Sequence, residues 1–308
     1  MVISIKSSSE FIFIILIILL YFAFYIQKLK LFYFRKIFFL FLLIMYNFLM
    51  STIILSKMKG INKSPVQYFL NQSINLNSYI GQEVSIEFTG IIFCSNCNRK
   101  IKKTFFNGLC FPCFKSSPEA SECIIKPELC EAHLGRGRDI EWEKKNHLVE
   151  HYVYLSATSH IKVGVTRFNQ IPSRWIDQGA TLGILFCKTP NRYLAGCIEV
   201  ALKSIISDKT AWQKMLKSCS FNLDLLEKKS ELSTQLDSSL KNYFVNDNTI
   251  TEIKYPILKY PNKIRSISLD KTPNIKSTLI GIKGQYLIFN DDYVFNVRKH
   301  SGYEVKLN

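Results

Sequence analysis

Two pairs of cysteines constrain the fold of this chain more than any other feature of its sequence. Cys94 and Cys97 form the first pair, Cys110 and Cys113 form the second, and twelve residues lie between the pairs. In a Cys-x2-Cys turn both thiolates can converge on one tetrahedral ion, so two such turns predict a zinc site of the ribbon type. Because four thiolates fill the coordination shell, we expect a structural zinc ion and not a catalytic one. Buried free cysteines and a redox pair are the alternatives.

The composition of the 308-residue chain excludes several classes of protein. Lys and Arg number 40 against 24 Asp and Glu, and the resulting net charge of +16 favours a polyanionic partner such as nucleic acid or an anionic membrane surface. Hydrophobic residues make up 47%, which is enough to bury a core and excludes a disordered polyelectrolyte. The length and the cysteine spacing exclude a secreted disulfide scaffold and indicate a reducing compartment.

Residues 1–49 form a hydrophobic leader with a composition unlike the rest of the chain. Ten of the 23 Phe lie in the first 50 residues, and 37–55 is an uncharged segment close to the length of a bilayer span. Two interpretations remain open. Either translation starts at Met50 and the leader is a mis-called start, or 37–55 is a membrane anchor. In both cases we expect the body of the protein to be cytoplasmic, where thiolates stay reduced.

A basic loop, NRKIKKTFF, lies between the two cysteine pairs. It carries Arg99, Lys100, Lys102 and Lys103, and two phenylalanines follow. A loop held by zinc can present such cations to phosphates, so these four residues are candidate nucleic-acid contacts. The sequence contains no base-reading motif, and binding to either DNA or RNA is therefore expected to go through the phosphates. The alternative is a solvated loop on a basic protein.

A second group of potential metal ligands follows the cysteine pairs. Cys123, Cys130, His133 and His147 are candidate ligands of a second zinc ion, with His151 nearby. Cys130 and His133 have ligand spacing, whereas the six residues between the two cysteines are more than a zinc turn contains. The alternative is that the cysteines are small core residues and the histidines are surface groups.

The periodicity of the remaining chain predicts both strands and helices. Alternation predicts a strand over 83–93 and two short strands within 152–166. A helix is expected from Ser173, with the serine hydroxyl as its cap, and helical spacing predicts another over 192–206.

An ordered set of residues within 152–199 is the most informative pattern in the chain. Tyr154 lies in the first strand, Lys162 and Gly164 in the second, Arg174 at the start of a helix and Glu199 in a later helix. Each of them alone has an ordinary structural explanation. Their order, in the segments VYLSATSHIKVGVTR, PSRWIDQGA and AGCIEVALK, resembles that of the GIY-YIG nucleases.

This resemblance implies a role for each residue. Tyr154 stands at the first tyrosine of the family and Arg174 at its arginine, while Lys162 occupies a position where most members have tyrosine. Glu199 stands at the glutamate that binds Mg²⁺ or Mn²⁺ for phosphodiester hydrolysis. Arginine would stabilise the pentacovalent phosphate, and tyrosine would orient or deprotonate water. Lys162 can contact a phosphate but does not replace a tyrosine as a base.

The chain from about residue 52 to 308 also resembles an uncharacterised bacterial family, a domain of unknown function that joins a zinc ribbon to a GIY-YIG-like module. The segments CSNC, NGLCFPC, KPELC, GRGRDIEW and GIKGQYLIF carry this resemblance. It begins close to Met50, which favours the mis-called start, and it implies an architecture without naming an activity.

Together these features predict an α+β protein with three parts after the leader. We expect a zinc-ribbon β-rich domain over 50–148, a GIY-YIG-like domain over 149–220, and a helix with a small β-rich domain over 221–308. The leading functional hypothesis is a nucleic-acid-binding zinc protein that is also a metal-dependent endonuclease. The alternative is a catalytically silent binding or scaffold protein that reuses the fold, with or without a membrane anchor.

Overall fold

The structure, a computed structural model, describes residues 38–39, 52–217 and 223–308. The chain divides into two units, Met1–Ser51 and Thr52–Asn308, and the fold described below is that of the second unit.

Most of the hydrophobic leader therefore lies outside the described residues. Of the leader over 1–49 only 38–39 are described, and of the segment 37–55 only 38–39 and 52–55. In the ranges that are described, no helix combines the length and the apolar character that crossing a bilayer requires.

The largest sheet has eight strands and draws them from both ends of the unit. Its strands are β1 (Thr52–Ile54), β5 (Glu83–Phe93), β6 (Lys100–Ile101), β11 (Arg265–Ile267), β12 (Asn274–Lys283), β13 (Tyr286–Phe289), β14 (Tyr293–Asn296) and β15 (Tyr303–Leu307). Their order is β1-β15-β5-β12-β13-β14-β11, with β6 paired to β5. All neighbours are antiparallel except β11 and β14. Segments 50–148 and 221–308 thus share one sheet, and the predicted domain boundaries stay a prediction.

Two smaller sheets complete the β structure of the described residues. One contains β2 (Lys59–Ile61), β3 (Gln67–Leu70) and β4 (Ile74–Asn75). The other contains β7 (His151–Ala157), β8 (Ile161–Arg167), β9 (Leu182–Thr189) and β10 (Thr251–Glu252), in the antiparallel order β10-β9-β7-β8.

Short helices connect and cover these sheets. They are α1 (Phe111–Ser116), α2 (Ile140–His147), α3 (Ser173–Asp177), α4 (Arg192–Lys203), α5 (Trp212–Lys217) and α6 (Leu225–Thr234). Three sheets together with these helices confirm the predicted α+β class. The predicted strand over 83–93 and the two strands within 152–166 are confirmed as β5, β7 and β8.

The two helices predicted around the candidate site differ in how they begin. Helix α3 starts at Ser173 as predicted, but the prediction that Ser173 caps it is wrong. Pro172 occupies the N-cap position without a side-chain hydrogen bond, so the serine already lies in the first turn. Helix α4 is capped by Asn191, whose Oδ1 accepts a hydrogen bond from the amide of Leu194 at 3.0 Å.

Strand β7 separates two hydrophobic cores. Val153 and Leu155 pack with α4 residues such as Ile198 in one core. Tyr154 belongs to the other core, which includes Trp175 and the interior of the largest sheet. Because successive side chains of a strand point to opposite faces, one short strand contributes to both cores.

Helix α4 is also held against the segment that carries Cys123 and Cys130, called the second cysteine group below. The guanidinium of Arg192 donates to the carbonyl oxygens of Cys123 and Ile124, both at 2.9 Å. At Gly196, an added Cβ would lie 2.2 Å from the backbone nitrogen of Glu128. The absence of a side chain at this position therefore lets the helix and the 3-10 turn Pro127–Leu129 touch.

Replacing Gly196 with alanine is expected to destabilise the protein, because the methyl group would push α4 away from Glu128. We expect a loss of about 1–3 kcal/mol in the free energy of unfolding. Helix propensity alone would give a gain of about 1 kcal/mol, so the sign of the change is diagnostic. Urea unfolding of the full chain measures it, and Val200→Ala at an exposed position of the same helix is the control. Equal or greater stability of Gly196→Ala would contradict the close packing.

Candidate metal centres and an adjoining cationic cavity

The four cysteines of the two pairs lie together in space. Cys94 follows the end of β5, Cys97 lies in the next turn, Cys110 precedes α1 and Cys113 lies within it. All four sulfur atoms lie within 4.8 Å of one another. The Sγ atoms of Cys97 and Cys110 are 3.8 Å apart, which equals the edge of about 3.8 Å of a tetrahedron with Zn–S bonds of about 2.3 Å. The cluster is consistent with a structural zinc ion.

Backbone amides around this cluster favour the thiolate form. The amide of Cys110 donates to the Sγ of Cys94 at 3.2 Å. Burial raises the pKa of Cys94, but hydrogen bonds from the backbone of Cys97, Cys110 and Asn96 outweigh it and lower the pKa to about 6. At Cys94, therefore, a proton competes little with a metal ion at neutral pH.

The turn before the second cysteine pair depends on Asn107 and Gly108, both with positive φ. A Cβ on Gly108 would lie 2.7 Å from the carbonyl oxygen of Ser301, so the turn is pressed against the C-terminal part of the chain. The side-chain oxygen of Asn107 accepts hydrogen bonds from Nε and one terminal nitrogen of Arg298, at 3.3 and 3.2 Å. The turn beside the four-cysteine cluster is thereby connected to Arg298.

The second predicted ligand group is brought together in part. The ligand atoms of Cys123, Cys130 and His147 lie within 4.8 Å of one another, and all three residues are buried. The Nδ1 of His147 is 3.5 Å from the Sγ of Cys130 and 3.9 Å from that of Cys123. His133 does not join them. It lies exposed in the 3-10 turn Ala132–Leu134, and its ring stacks on that of Tyr193 with centroids 4.5 Å apart.

The basic loop between the cysteine pairs is exposed. Arg99, Lys100, Lys102 and Lys103 all face solvent, and the pairing of β6 with β5 holds the loop beside the four-cysteine cluster. None of the four lines the cavity described next. Phe106, the last residue of the loop, lines the cavity and connects the two.

A cavity of about 430 Å³ is lined by all five residues for which the resemblance to the GIY-YIG nucleases predicts a catalytic role. Four elements deliver them: Tyr154 lies on β7, Lys162 and Gly164 on β8, Arg174 on α3 and Glu199 on α4. The structure thus brings together at one cavity five residues that the sequence presents in separate segments.

Tyr154 and Gly164 face each other across the β7–β8 pair. A Cβ on Gly164 would lie 2.6 Å from the hydroxyl oxygen of Tyr154, so the glycine leaves room for the phenol. The Tyr154 hydroxyl donates to Oε1 of Gln178 at 2.9 Å. Burial raises the pKa of Tyr154, while the neighbouring Arg174 opposes the shift. At neutral pH the phenol is therefore protonated and acts as a hydrogen-bond donor.

Lys162 and Glu199 are charged groups buried in the cavity wall, with 4% and 7% of their surfaces exposed. Burial, together with the positive charge of Arg174, lowers the pKa of Lys162 to about 8. Burial raises the pKa of Glu199, and the ammonium of Lys203, 3.5 Å from its Oε2, acts in the opposite direction. Lys203 also lies 3.2 Å from Oδ2 of Asp208 and so bridges two carboxylates.

Several residues of the cavity could not be found from the sequence pattern. The sequence indicated Gln178 only weakly: it lies four residues after Arg174, a spacing that places two residues on the same face of a helix. Arg298 had none, because it reaches the cavity from the C-terminal part of the chain. Seven Lys or Arg side chains against three Asp or Glu make the lining strongly cationic. The additional charged residues are Lys57, Arg167, Asp177, Arg192, Lys203, Asp208 and Arg298.

The comparisons with known proteins give one match. A family model described as "Protein of unknown function (DUF2797)" matches residues 81–305, well over half of the chain. No curated protein and no solved structure matches the chain. The matched range includes both cysteine groups and the five predicted residues of the cavity.

Replacing Cys97 with serine is expected to remove one equivalent of zinc from the purified protein, because three thiolates no longer close the tetrahedral site. The variant should also unfold at lower temperature, since metal binding contributes to folding. Colorimetric zinc determination after denaturation gives the stoichiometry. Cys197→Ser, which changes a cysteine outside both groups, is the matched control and should keep the full zinc content. Unchanged zinc and stability in Cys97→Ser would contradict the four-thiolate site.

Proposed function

This chain belongs to the DUF2797 family of proteins of unknown function, and we propose that it binds nucleic acid and cleaves it with a divalent metal ion. In this proposal the four-cysteine cluster holds structural zinc as part of a ribbon module. The cavity is the active site of a GIY-YIG-like module. The single observation that carries the proposal is that Tyr154, Lys162, Gly164, Arg174 and Glu199 line one cavity.

The charge of the cavity supports a phosphate-containing ligand. Arg174, Lys162 and Arg298 line it together with further basic residues, and acidic side chains are fewer. A buried cation without a full complement of counter-charges is costly, and a bound phosphodiester would supply the missing negative charge. Outside the cavity, the exposed cations of the basic loop would extend the contact along the phosphate backbone.

Glu199 is the proposed ligand of Mg²⁺ or Mn²⁺. A single carboxylate with water molecules suffices for these hard cations, which keep much of their hydration shell. The raised pKa of Glu199 shows that burial disfavours a lone negative charge there, and a divalent cation would remove this penalty. Asp208 lies on the other side of Lys203 and would add negative charge near the ion.

The remaining residues of the set would each have a separate role in hydrolysis. Arg174 would neutralise the charge that develops on the phosphate, and Lys162 would contact a nonbridging oxygen. The hydroxyl of Tyr154 would orient water or substrate as a hydrogen-bond donor. The metal ion, when bound, supplies Lewis acidity and a more acidic water molecule.

A second candidate function is binding without cleavage. Two observations favour it: the pKa of Tyr154 is raised, and a lysine stands at the second tyrosine position of the family. A phenol with a raised pKa stays protonated and does not deprotonate water, and the tyrosine that most members carry at the second position is missing. In that case the cavity would recognise phosphate and leave the bond intact.

Glu199→Gln is expected to lower the cleavage rate by about 100-fold or more, because removing one preorganised charge costs that much in comparable sites. Binding should change little, since most affinity comes from the lysines and arginines. The assay is nicking of plasmid DNA and of a structured RNA with Mn²⁺, with binding measured on the same substrates. Glu227→Gln on the exposed surface of α6 is the control and should cleave normally.

Lys100→Ala with Lys102→Ala should have the opposite effect and weaken binding. The slope of log affinity against log salt should fall by about 2, because two phosphate contacts are lost. If wild type and Glu199→Gln are equally inert on every substrate, yet both bind with a steep salt dependence, the protein is the silent binder. If wild type binds neither DNA nor RNA, both candidate functions fail.

The affinity for nucleic acid is expected to fall as the pH rises through about 8, because the buried Lys162 ammonium then loses its proton. The expected loss is about tenfold, the value of one hydrogen bond to a charged group. Fluorescence anisotropy with a labelled oligonucleotide, without Mg²⁺ or Mn²⁺, measures this step. Lys162→Met should remove the fall in affinity near pH 8. Lys102→Met, which changes an exposed lysine, should lower the affinity at every pH but retain the fall near pH 8. A step that persists in Lys162→Met would contradict the assignment.

A further inference from the structure

One buried nitrogen near the second cysteine group is left without a hydrogen-bond partner. It is Nε2 of His151, a residue with none of its surface exposed. Within the described part of the chain no donor or acceptor reaches this atom. A buried polar atom left unpaired is costly, so Nε2 of His151 is a candidate ligand atom.

The other ring nitrogen of His151 fixes the tautomer. Nδ1 lies 2.7 Å from the carbonyl oxygen of Val149, and a carbonyl can only accept a hydrogen bond. Nδ1 therefore carries the proton, and Nε2 presents a lone pair. Histidines that bind metal ions characteristically donate their second N–H to a carbonyl or carboxylate in this way.

His151 lies at the end of β7 that adjoins the second cysteine group. Its neighbour across the sheet is Thr189, the last residue of β9, whose hydroxyl donates to the His151 carbonyl oxygen at 3.3 Å. Three residues after Thr189, Arg192 donates to the carbonyl oxygen of Cys123. The alternation of β7 also places His151 on the same face as Val153, which packs against α4.

From these contacts we propose that Cys123, Cys130, His147 and His151 bind a second structural zinc ion. Of the distances from Nδ1 of His147 to the two sulfurs, 3.5 Å equals the S–N edge of a zinc tetrahedron, which is about 3.5 Å, and 3.9 Å slightly exceeds it. Nε2 of His151, which lies outside the 4.8 Å group formed by the other three ligand atoms, would close on the ion as the fourth ligand in place of His133, which stacks on Tyr193. This inference does not depend on the proposed nuclease activity.

Glu143 is the competing candidate for the fourth ligand. Its Oε2 lies 3.8 Å from Nδ1 of His147, and it is buried. However, its Oε1 already accepts a hydrogen bond from the amide of Arg138 at 2.9 Å, whereas Nε2 of His151 has no partner among the described residues. The carboxylate is thus occupied in holding the loop before α2.

The second zinc would act on the cavity through α4. The helix is attached to the cysteine segment by Arg192 and by the contact at Gly196, and it carries Glu199. Metal binding at one end of the helix would therefore fix the position of the carboxylate that lines the cavity.

The test is metal content and cobalt spectroscopy on the full chain. Wild type should contain two zinc ions per chain, His151→Ala one, and the matched control His133→Ala two. Glu143→Gln should also keep two. One zinc in wild type, or two in His151→Ala, would overturn the proposal. Loss of the second zinc in His133→Ala or in Glu143→Gln would assign the fourth position to that residue instead.

A ligand exchange separates coordination from folding. In His151→Cys the fourth ligand is a thiolate, so the variant should retain two metal ions. With Co²⁺ its absorption should shift toward that of a three-thiolate site and gain sulfur-to-metal charge-transfer intensity relative to wild type. A His151→Cys protein with two Co²⁺ ions and an unchanged spectrum would show that residue 151 does not bind the metal, and would overturn the proposal.

Discussion

The cavity depends on one long-range contact, the antiparallel pairing of β15 with β5. The amide of Phe93 donates to the carbonyl oxygen of Gly302 at 2.7 Å, and a Cβ on Gly302 would lie 2.2 Å from the Phe93 carbonyl oxygen. This close approach brings the segment before β15 against the turn beside the four-cysteine cluster, where Arg298 meets Asn107. A residue near the end of the chain thereby becomes part of a cavity built mainly by β7, β8, α3 and α4.

The cavity concentrates charge where burial makes charge costly. Lys162 and Glu199 are almost fully enclosed, and their pKa values move in opposite directions for the same reason, the loss of solvation of the charged form. A folded protein tolerates such groups when their positions matter, because fixed charges need no reorganisation when a ligand arrives. The hydrophobic faces of β7 and α4 supply the rigid frame that holds them.

The sequence predicted the parts of this structure that depend on local spacing or on the order of motifs. The strand over 83–93, the β7–β8 hairpin and the first cysteine group follow from alternation and from Cys-x2-Cys spacing. The prediction that Ser173 caps α3 was wrong because Pro172 already occupies the N-cap position.

Contacts between residues that are far apart in the sequence could not be predicted from local spacing. Cys130 and His133 have the spacing of ligands, yet spacing does not say that a short 3-10 turn carries the histidine to Tyr193. Arg298 and the unpaired nitrogen of His151 can be recognised only once sheet pairing and hydrogen bonds are known. The domain boundaries also cannot be taken from composition, because strands of the first and last segments alternate in one sheet.

Strand β7 has a consequence for how this protein can vary. Val153 and Leu155 pack in the core with α4, and Tyr154 belongs to the opposite core. Alternation along the strand places His151 on the same side as Val153. Inserting or deleting one residue within the strand would exchange the two faces beyond that point. The phenol would then enter the core beneath α4, and an aliphatic side chain would press on Gly164. A substitution changes one side chain at a time, whereas the length of this strand is fixed by the two environments that it separates.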